Sequence, residues 1–402
     1  MMHTDYIPFH RPGIGEEEIL EVANTLRSGW LTTGPKTAQF EREFRSYVQA
    51  RHALALNSCT AALHLALSAM DLRPGDEVIT TPLTFCATVN CILHCGATPV
   101  LADVLPDGNI DPQSIAERLS PATRVILPVH FAGLPCRMDE IRALARRHGC
   151  SVIEDAAHAA GARYGEHRIG SSAGAAPADA VAFSFYATKN LAVGEGGMLT
   201  TCDDAIAERV RRLALHGMSR DAWSRYSESG SWRYDVVEAG FKYNLSDIQS
   251  AIGLHQLRKL DAANAVRREI AAEYTEALRE IDEVETPPDC GYGLHSWHLY
   301  VLRLRLEKLS IGRGDFIAEL HRRGIGTSVH FVPIPLHPFF SSRSREPRNQ
   351  CSRAIGLFHR IVSLPIYPSL KPGERKRVID AVREVAGRYR LARIATAELT
   401  HS

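Results

Sequence analysis

VAFSFYATKNLAVGEGGMLTT, residues 181–201, holds the lysine on which the reading of this chain turns. Lys189 lies between two apolar runs, directly after Tyr186-Ala187-Thr188 and shortly before the pair Gly196-Gly197. A lysine between two strand-like segments is costly to bury charged, so it either snorkels to water or is held with a lowered pKa as an amine nucleophile. Only the second alternative accounts for the whole segment. Neutral lysine attacks carbonyl carbons to form a Schiff base, and the chemistry that most often needs one such lysine is the tethering of pyridoxal 5'-phosphate (PLP). The residues therefore point to a PLP enzyme.

Outward from this segment, short β-branched runs alternate with helical patterns. HALALN is followed by TAALHLALSAM, DEVITTP by TFCATVNCILHCG, TPVLADV stands alone, and RVILPVHFAG is followed by MDEIRALARRHG and then CSVIEDAAH. Such alternation predicts an α/β fold with a mostly parallel central sheet covered by helices, and ligands gathered at the carboxyl ends of its strands. Leu63, Leu67 and Met70 share one helical face and read as core. From Ser246 a long, nearly proline-free helical stretch opens with Asp247 at a capping position and is suited to bridging two domains. HSWHLYVLRLRL, RGIGTSVHF and a terminal helix carrying Val378, Val382 and Val385 then predict a smaller α+β domain. The expected division is a large domain over 1–250 and a linking helix with a small domain over 251–402. Segments 219–232 and 341–350 read as mobile loops.

The 402 residues suffice for two or three domains and a deep cleft. Lysine and arginine number 47 against 46 aspartates and glutamates, so no field of one sign exists to attract nucleic acid or an anionic membrane. Nine irregularly spaced cysteines without a C-x-x-C pair fit reduced thiols in the cytoplasm. No apolar run approaches the length that spans a bilayer. His64, His94, His130, His216, His330 and His337 are scattered, and no metal site is signalled. GEGG at 194–197 lacks a following Lys-Ser or Lys-Thr and precedes a strand, so it reads as a tight turn and not a P-loop or dinucleotide fingerprint.

Several residues could complete a PLP site. Asn57-Ser58-Cys59-Thr60-Ala61 joins a strand to a helix, offering free N–H groups and two hydroxyls for a phosphate; read alone, it is rather an ordinary Ser or Thr cap. Asp155 ends the run Ser151-Val152-Ile153-Glu154, where its carboxylate could pair with a protonated pyridine nitrogen or simply cap a following helix. His158 could reach the phenolic oxygen or be merely packed. Phe85 could stack on the ring or belong to the core.

Together the residues carry a resemblance. The chain resembles the DegT/DnrJ/EryC1/StrS family of PLP-dependent sugar aminotransferases, fold type I, along nearly its full length. The matching stretches are SGWLTTGPKTAQFE, HALALNSCTAALHLAL, GDEVITTPLTFCATVN, GATPVLADV, ILPVHFAG, VIEDAAHAAGA, FSFYATKN, GEGGMLTT, KYNLSDIQSAIG and RGIGTSVHF. The likeness is greatest to enzymes that aminate C4 of nucleotide-linked keto-sugars. It implies that Lys189 is the Schiff-base lysine, Asp155 the partner of the pyridine nitrogen and His158 the neighbour of the phenolic oxygen. It implies Ser58, Cys59, Thr60 and Ser184 as the phosphate cup and Phe85 as the stacking residue. Asn244 matches an asparagine that reaches the phosphate from the neighbouring subunit, implying a homodimer with shared sites. Thr33, Tyr186 and His330 fall in segments that face the nucleotide sugar. The implied amino donor is L-glutamate.

Tyr186 stands where close relatives often carry His, and Phe85 where some carry Trp. SSAGAAPADA at 171–180 is slightly longer than the usual stretch. Three other readings stand beside the main one. They are an aminotransferase of keto-inositols or other non-nucleotide keto-sugars, a catalytically silent regulatory homologue, and a nicotinamide oxidoreductase. No G-x-G-x-x-G follows the first strand to support the last.

Overall fold

The computed structural model describes residues 6–173, 177–219, 234–288, 291–341 and 351–391. Seven strands form the central sheet in the spatial order His52–Leu56, Gly197–Thr201, Ala180–Ser184, Ser151–Asp155, Thr123–Leu127, Glu77–Thr80, Thr98–Leu101. Pairing is parallel from Ala180–Ser184 outward to Thr98–Leu101. Gly197–Thr201 runs antiparallel to both of its neighbours, which leaves His52–Leu56 parallel to the rest. The residues between Ser184 and Gly197 form no helix, and a parallel return would need such a crossover. The sheet is thus mostly parallel, as expected, with one reversed strand.

That topology decides where chemistry can gather. The carboxyl ends of six strands and the amino end of the reversed strand share one edge, where the chain leaves the sheet in loops. Helices Cys59–Ala69, Cys86–His94, Met138–His148 and Asp204–Leu213 connect or flank the strands. Their buried faces are apolar, as in Cys59–Ala69, where Leu63 and Leu67 are fully buried while Met70 serves as the C-cap. Phe40 and Phe44 of helix Pro35–Val48 pack on Phe183 and Phe185, with ring centroids 5.1–5.5 Å apart. Strand Ala180–Ser184 and the turn after it are therefore clamped from beneath.

The long helix spans Asp247–Leu278, and its cap is Ser246 instead of the expected Asp247. Gln249 N–H donates to Ser246 Oγ. The Asp247 carboxylate is occupied elsewhere, accepting from Gly34 N at 2.7 Å, Thr37 N at 2.9 Å and Thr37 Oγ1 at 2.7 Å. It thereby secures the start of helix Pro35–Val48, whose first amides have no intrahelical acceptor.

Leu254, Leu257 and Leu260 of the long helix join the core beneath the large sheet. Ile270, Ala271, Tyr274 and Leu278, farther along the same helix, join a second core. This second core lies against the antiparallel sheet Val284–Glu285, Tyr300–Leu304, Ile361–Leu364 and helices Arg313–Arg322 and Pro372–Arg388. Val378, Val382 and Val385 are fully buried in it. Ile7 also belongs to this core, bridged to Ile325, so the N-terminal arm crosses to the C-terminal body. Apart from Ser219 and Ser341, the loops expected at 219–232 and 341–350 lie outside the described residues, as do positions 174–176 of the 171–180 stretch.

Candidate active site

Lys189 sits in a tight excursion from the strand edge. Phe185 N–H donates to Gly196 O and Val193 N–H to Phe185 O, each at 2.8 Å, which closes the loop at its neck. Lys189 N–H donates to Tyr186 O at 2.8 Å within it. Gly194, at φ +92°, supplies a backbone geometry that side-chain-bearing residues rarely adopt. Gly197 has a different reason to be glycine. A Cβ there would lie 2.4 Å from the carbonyl carbon of Ser58 and 2.6 Å from Cys59 N. The reversed strand thus begins in direct contact with the start of helix Cys59–Ala69.

Burial lowers the Lys189 amine to about 8, against the opposing pull of Cys59 and Asp155. Asp155, at the end of its strand, is buried, and burial pushes its carboxyl above the ordinary range. Several neighbours oppose that rise. Asp155 Oδ1 accepts from Ala157 N at 3.1 Å, Oδ2 accepts from Thr88 Oγ1 at 2.8 Å, and Lys189 contributes its charge. Thr84 donates in turn to Thr88 at 2.8 Å, because the Thr88 proton is already committed. Turns, and no helix, follow Asp155, so its bond to Ala157 N closes a local turn and the helix-cap alternative falls away. The Cys59 thiol, 3.9 Å from Asp155 Oδ1, is pushed well up by burial and then by that carboxylate.

Histidines line the other side. His158 is buried, and burial followed by the charge of Lys189 holds it well below its ordinary value, so its ring is neutral. Its Nδ1 has no hydrogen-bond partner. The ring lies 4.4 Å from His298 and 5.6 Å from Phe331. Burial and Lys189 likewise lower His330 to about 4; its Nδ1 is 2.9 Å from Ser363 Oγ and its ring stacks on Phe9 at 5.4 Å. Phe85 is 60% exposed at the N-cap of helix Cys86–His94, with its ring 6.1 Å from Phe331, instead of lying in the core. Tyr186 is exposed too.

Ser58 caps helix Cys59–Ala69 by accepting from Ala61 N at 3.0 Å. The amides of Cys59 and Thr60 precede the first intrahelical donor and face outward at the positive end of the helix. Ser184 is buried at its strand end, with Tyr186 N–H 3.4 Å from its hydroxyl. Thr33 and Asn244 meet each other: Asn244 Nδ2 donates to Thr33 Oγ1 at 2.6 Å, and Thr33 donates to Leu245 O at 2.5 Å. They line a cleft of about 380 Å³ with Leu54, Leu56 and Arg211. Asn244 is bridged to Leu56, and Tyr243 O accepts from Asn57 N, so this cleft adjoins the Ser58 turn.

Five polar residues near Lys189 escaped the sequence reading: His10, Thr88, Asn190, Arg267 and His298. Burial, then Arg267, lowers His10 to about 4, and Lys189 adds to the effect. Arg267 is 2% exposed, donates to Ile366 O at 2.6 Å, and is lowered to about 10 by burial. A Thr pair at i and i+4 in TFCATVN and a polar Ser-x-His within an apolar run were the available signals.

The arrangement fits PLP. Among the described residues Asp155 has no salt-bridge partner, so a buried carboxylate would gain from a pyridinium cation. A histidine nitrogen lies unpartnered, and a helix start offers open amides. A lysine amine poised near neutral pH on the carboxyl edge of such a sheet, with these neighbours, is the arrangement that a PLP-dependent enzyme requires.

The chain belongs to the DegT/DnrJ/EryC1/StrS aminotransferase family, whose profile matches residues 12–383. It is 49% identical over 382 residues to the spore coat polysaccharide biosynthesis protein SpsC of Bacillus subtilis, covering 94% of this chain and 97% of that protein. The putative sugar aminotransferase Spr1654 of Streptococcus pneumoniae, in its PLP form, superposes with a TM-score of 0.88 at 31% identity, covering 95% of this chain and 99% of that one. DesV of S. venezuelae gives a TM-score of 0.83 at 37% identity, over 92% and 94% of the two chains. This protein is a PLP-dependent sugar aminotransferase. Among the described residues no helix is long and apolar enough to cross a membrane.

Proposed function

We propose that this enzyme transfers an amino group from L-glutamate to the C4 keto carbon of a nucleotide-linked keto-sugar. The observation that carries the reading is the Lys189 amine, lowered to about 8, together with the buried Asp155, which has no salt-bridge partner among the described residues. The likeness to a polysaccharide biosynthesis protein supports a carbohydrate acceptor. PLP supplies the electron sink that makes a substrate C–H acidic. Lys189 anchors the cofactor and its Nζ moves the proton, a task suited to an amine with a pKa near the working pH. The Asp155 carboxyl, which accepts from Thr88 and Ala157, holds the pyridine nitrogen protonated. Ser58, Cys59, Thr60 and Ser184 hold the phosphate, His158 lies by the phenolic oxygen, and Phe85 covers the ring. Thr33, Tyr186 and His330 face the sugar nucleotide.

Asn244 reaches the phosphate in the other subunit of a homodimer, and the enzyme works in the cytoplasm with a large domain over 1–250 and a small one over 251–402. A panel of UDP- and dTDP-linked 4-keto-sugars, a 3-keto-sugar nucleotide and a keto-inositol tests the acceptor, with 2-oxoglutarate release and product mass as readouts. Amination of a 4-keto-sugar nucleotide is expected. Turnover confined to the keto-inositol or the 3-keto-sugar overturns the assignment.

A further inference from the structure

Asn190, the residue after Lys189, is the centre of a buried polar chain whose proton positions are fully determined. Its Nδ2 lies 2.8 Å from Ser296 O, a carbonyl that can only accept, so that end of the amide is the nitrogen. The same Nδ2 donates to Asn264 Oδ1 at 2.8 Å, and Asn264 Nδ2 donates to Ala160 O at 3.0 Å. The Asn190 oxygen therefore faces His298 Nδ1, 3.1 Å away, and that ring nitrogen must carry a proton. Burial, with Lys189 and His158 adding to it, keeps His298 neutral, so the ring is the Nδ1–H tautomer.

The other flank of His298 is His158, with ring centroids 4.4 Å apart. Ser296 ties the same two segments again, donating to His158 O at 2.8 Å. The fit leaves no spare volume. A Cβ on Gly133 would come within 2.1 Å of Ser296 Oγ and 2.7 Å of His158 O, and one on Gly161 within 2.5 Å of Asn264 Nδ2. All four polar members, Asn190, Asn264, Ser296 and His298, are buried.

We propose that His298 is a positioning residue, which locks the Lys189 turn against the His158 ring through its bond to Asn190 and its contact with His158. The proposal rests on the assignment of Lys189 and His158 to the cofactor site. His298 needs no contact with the substrate to act. It fixes where the lysine turn stands relative to the residue beside the phenolic oxygen, so its loss should be felt when the cofactor is taken up.

Cofactor-free enzyme is mixed with PLP, and loading is followed by the visible absorbance of the lysine-bound cofactor. Borohydride trapping in each variant identifies the lysine reached. His298→Phe keeps a ring against His158 but leaves the Asn190 oxygen buried and unpaired, and loading should slow about tenfold. His298→Asn returns a donor near the Nδ1 position and should load within about threefold of the wild type. A residue that merely fills space gives the reverse order, because Phe preserves volume and Asn does not. Phe loading as fast as Asn, or at the wild-type rate, overturns the proposal. If His298→Phe does not fold, Asn190→Ser removes the acceptor from the opposite end and should show the same slowing, and wild-type loading by that variant overturns it equally. A wild-type adduct on a lysine other than Lys189 removes the site assignment itself, an outcome separable from any order among the variants.

Discussion

Removing the Lys189 amine should make the cofactor-free protein more stable at neutral pH. Burial lowers this amine from 10.5 to about 8, so below pH 8 the folded protein carries a cation that the unfolded chain holds more comfortably in water. Lowering from 10.5 to about 8, at about 1.36 kcal/mol per pH unit, corresponds to roughly 3 kcal/mol. Asp155 is already counted in that value, and the partial exposure of Lys189 reduces the expected gain to about 2 kcal/mol for Lys189→Met. The sign follows from proton binding. Between pH 8 and 10.5 the unfolded wild type binds more protons than the folded one, so wild-type stability rises with pH relative to the variant. The advantage of Lys189→Met should be fully present below pH 8 and fade by pH 10.5. Urea unfolding of both cofactor-free proteins at half-unit pH intervals measures the difference, in which titrations common to both cancel. A variant less stable than the wild type at pH 7, or a difference flat across the window, would refute a lowered lysine pKa.

Thr88→Val deletes the hydroxyl that donates to Asp155 Oδ2 and should raise the Asp155 pKa further; PLP affinity, read by fluorescence quenching, should fall about tenfold, the effect of losing one bond to a charged group. An unchanged dissociation constant would count against Asp155 as a charged partner of the cofactor. Gly197→Ala forces a Cβ against the Ser58–Cys59 backbone and should cost about 1–3 kcal/mol in urea unfolding. Equal stability would mean that the strand start does not support the helix start as described. Mixing inactive Lys189→Ala with an Asn244→Ala protein should restore activity on subunit exchange, because one of the two sites in a mixed dimer then escapes both lesions. If mixing restores nothing, the proposal of shared sites fails.

Much of this architecture was readable because it is local. The period of apolar residues in HALAL, EVIT and SVIED reports strands buried on both faces, and the unusual lysine of FSFYATKN stands out against its apolar neighbours. The reversal of Gly197–Thr201 was not readable, since nothing in GMLTT distinguishes a parallel from an antiparallel partner. Capping at Ser246 was missed because Asp247 is an equally good cap by type, and only the distant amides of Gly34 and Thr37 explain why it serves elsewhere. The site was half legible for a related reason. Asp155 and His158 lie on one strand exit, whereas His10 and His298 arrive from separate segments and face Lys189 only in the folded chain, with Arg267 beside both histidines. Sequence spacing carries no record of such meetings.

The central claim is that Lys189 is the amine that holds the cofactor. Borohydride reduction of the PLP-loaded enzyme, followed by peptide mapping, tests it most directly. The pyridoxyl mass should appear on the peptide carrying Lys189 and be absent from it when the same protein is treated without PLP. An adduct on Lys242, or none on the Lys189 peptide in a protein that retains transaminase activity, would contradict the account.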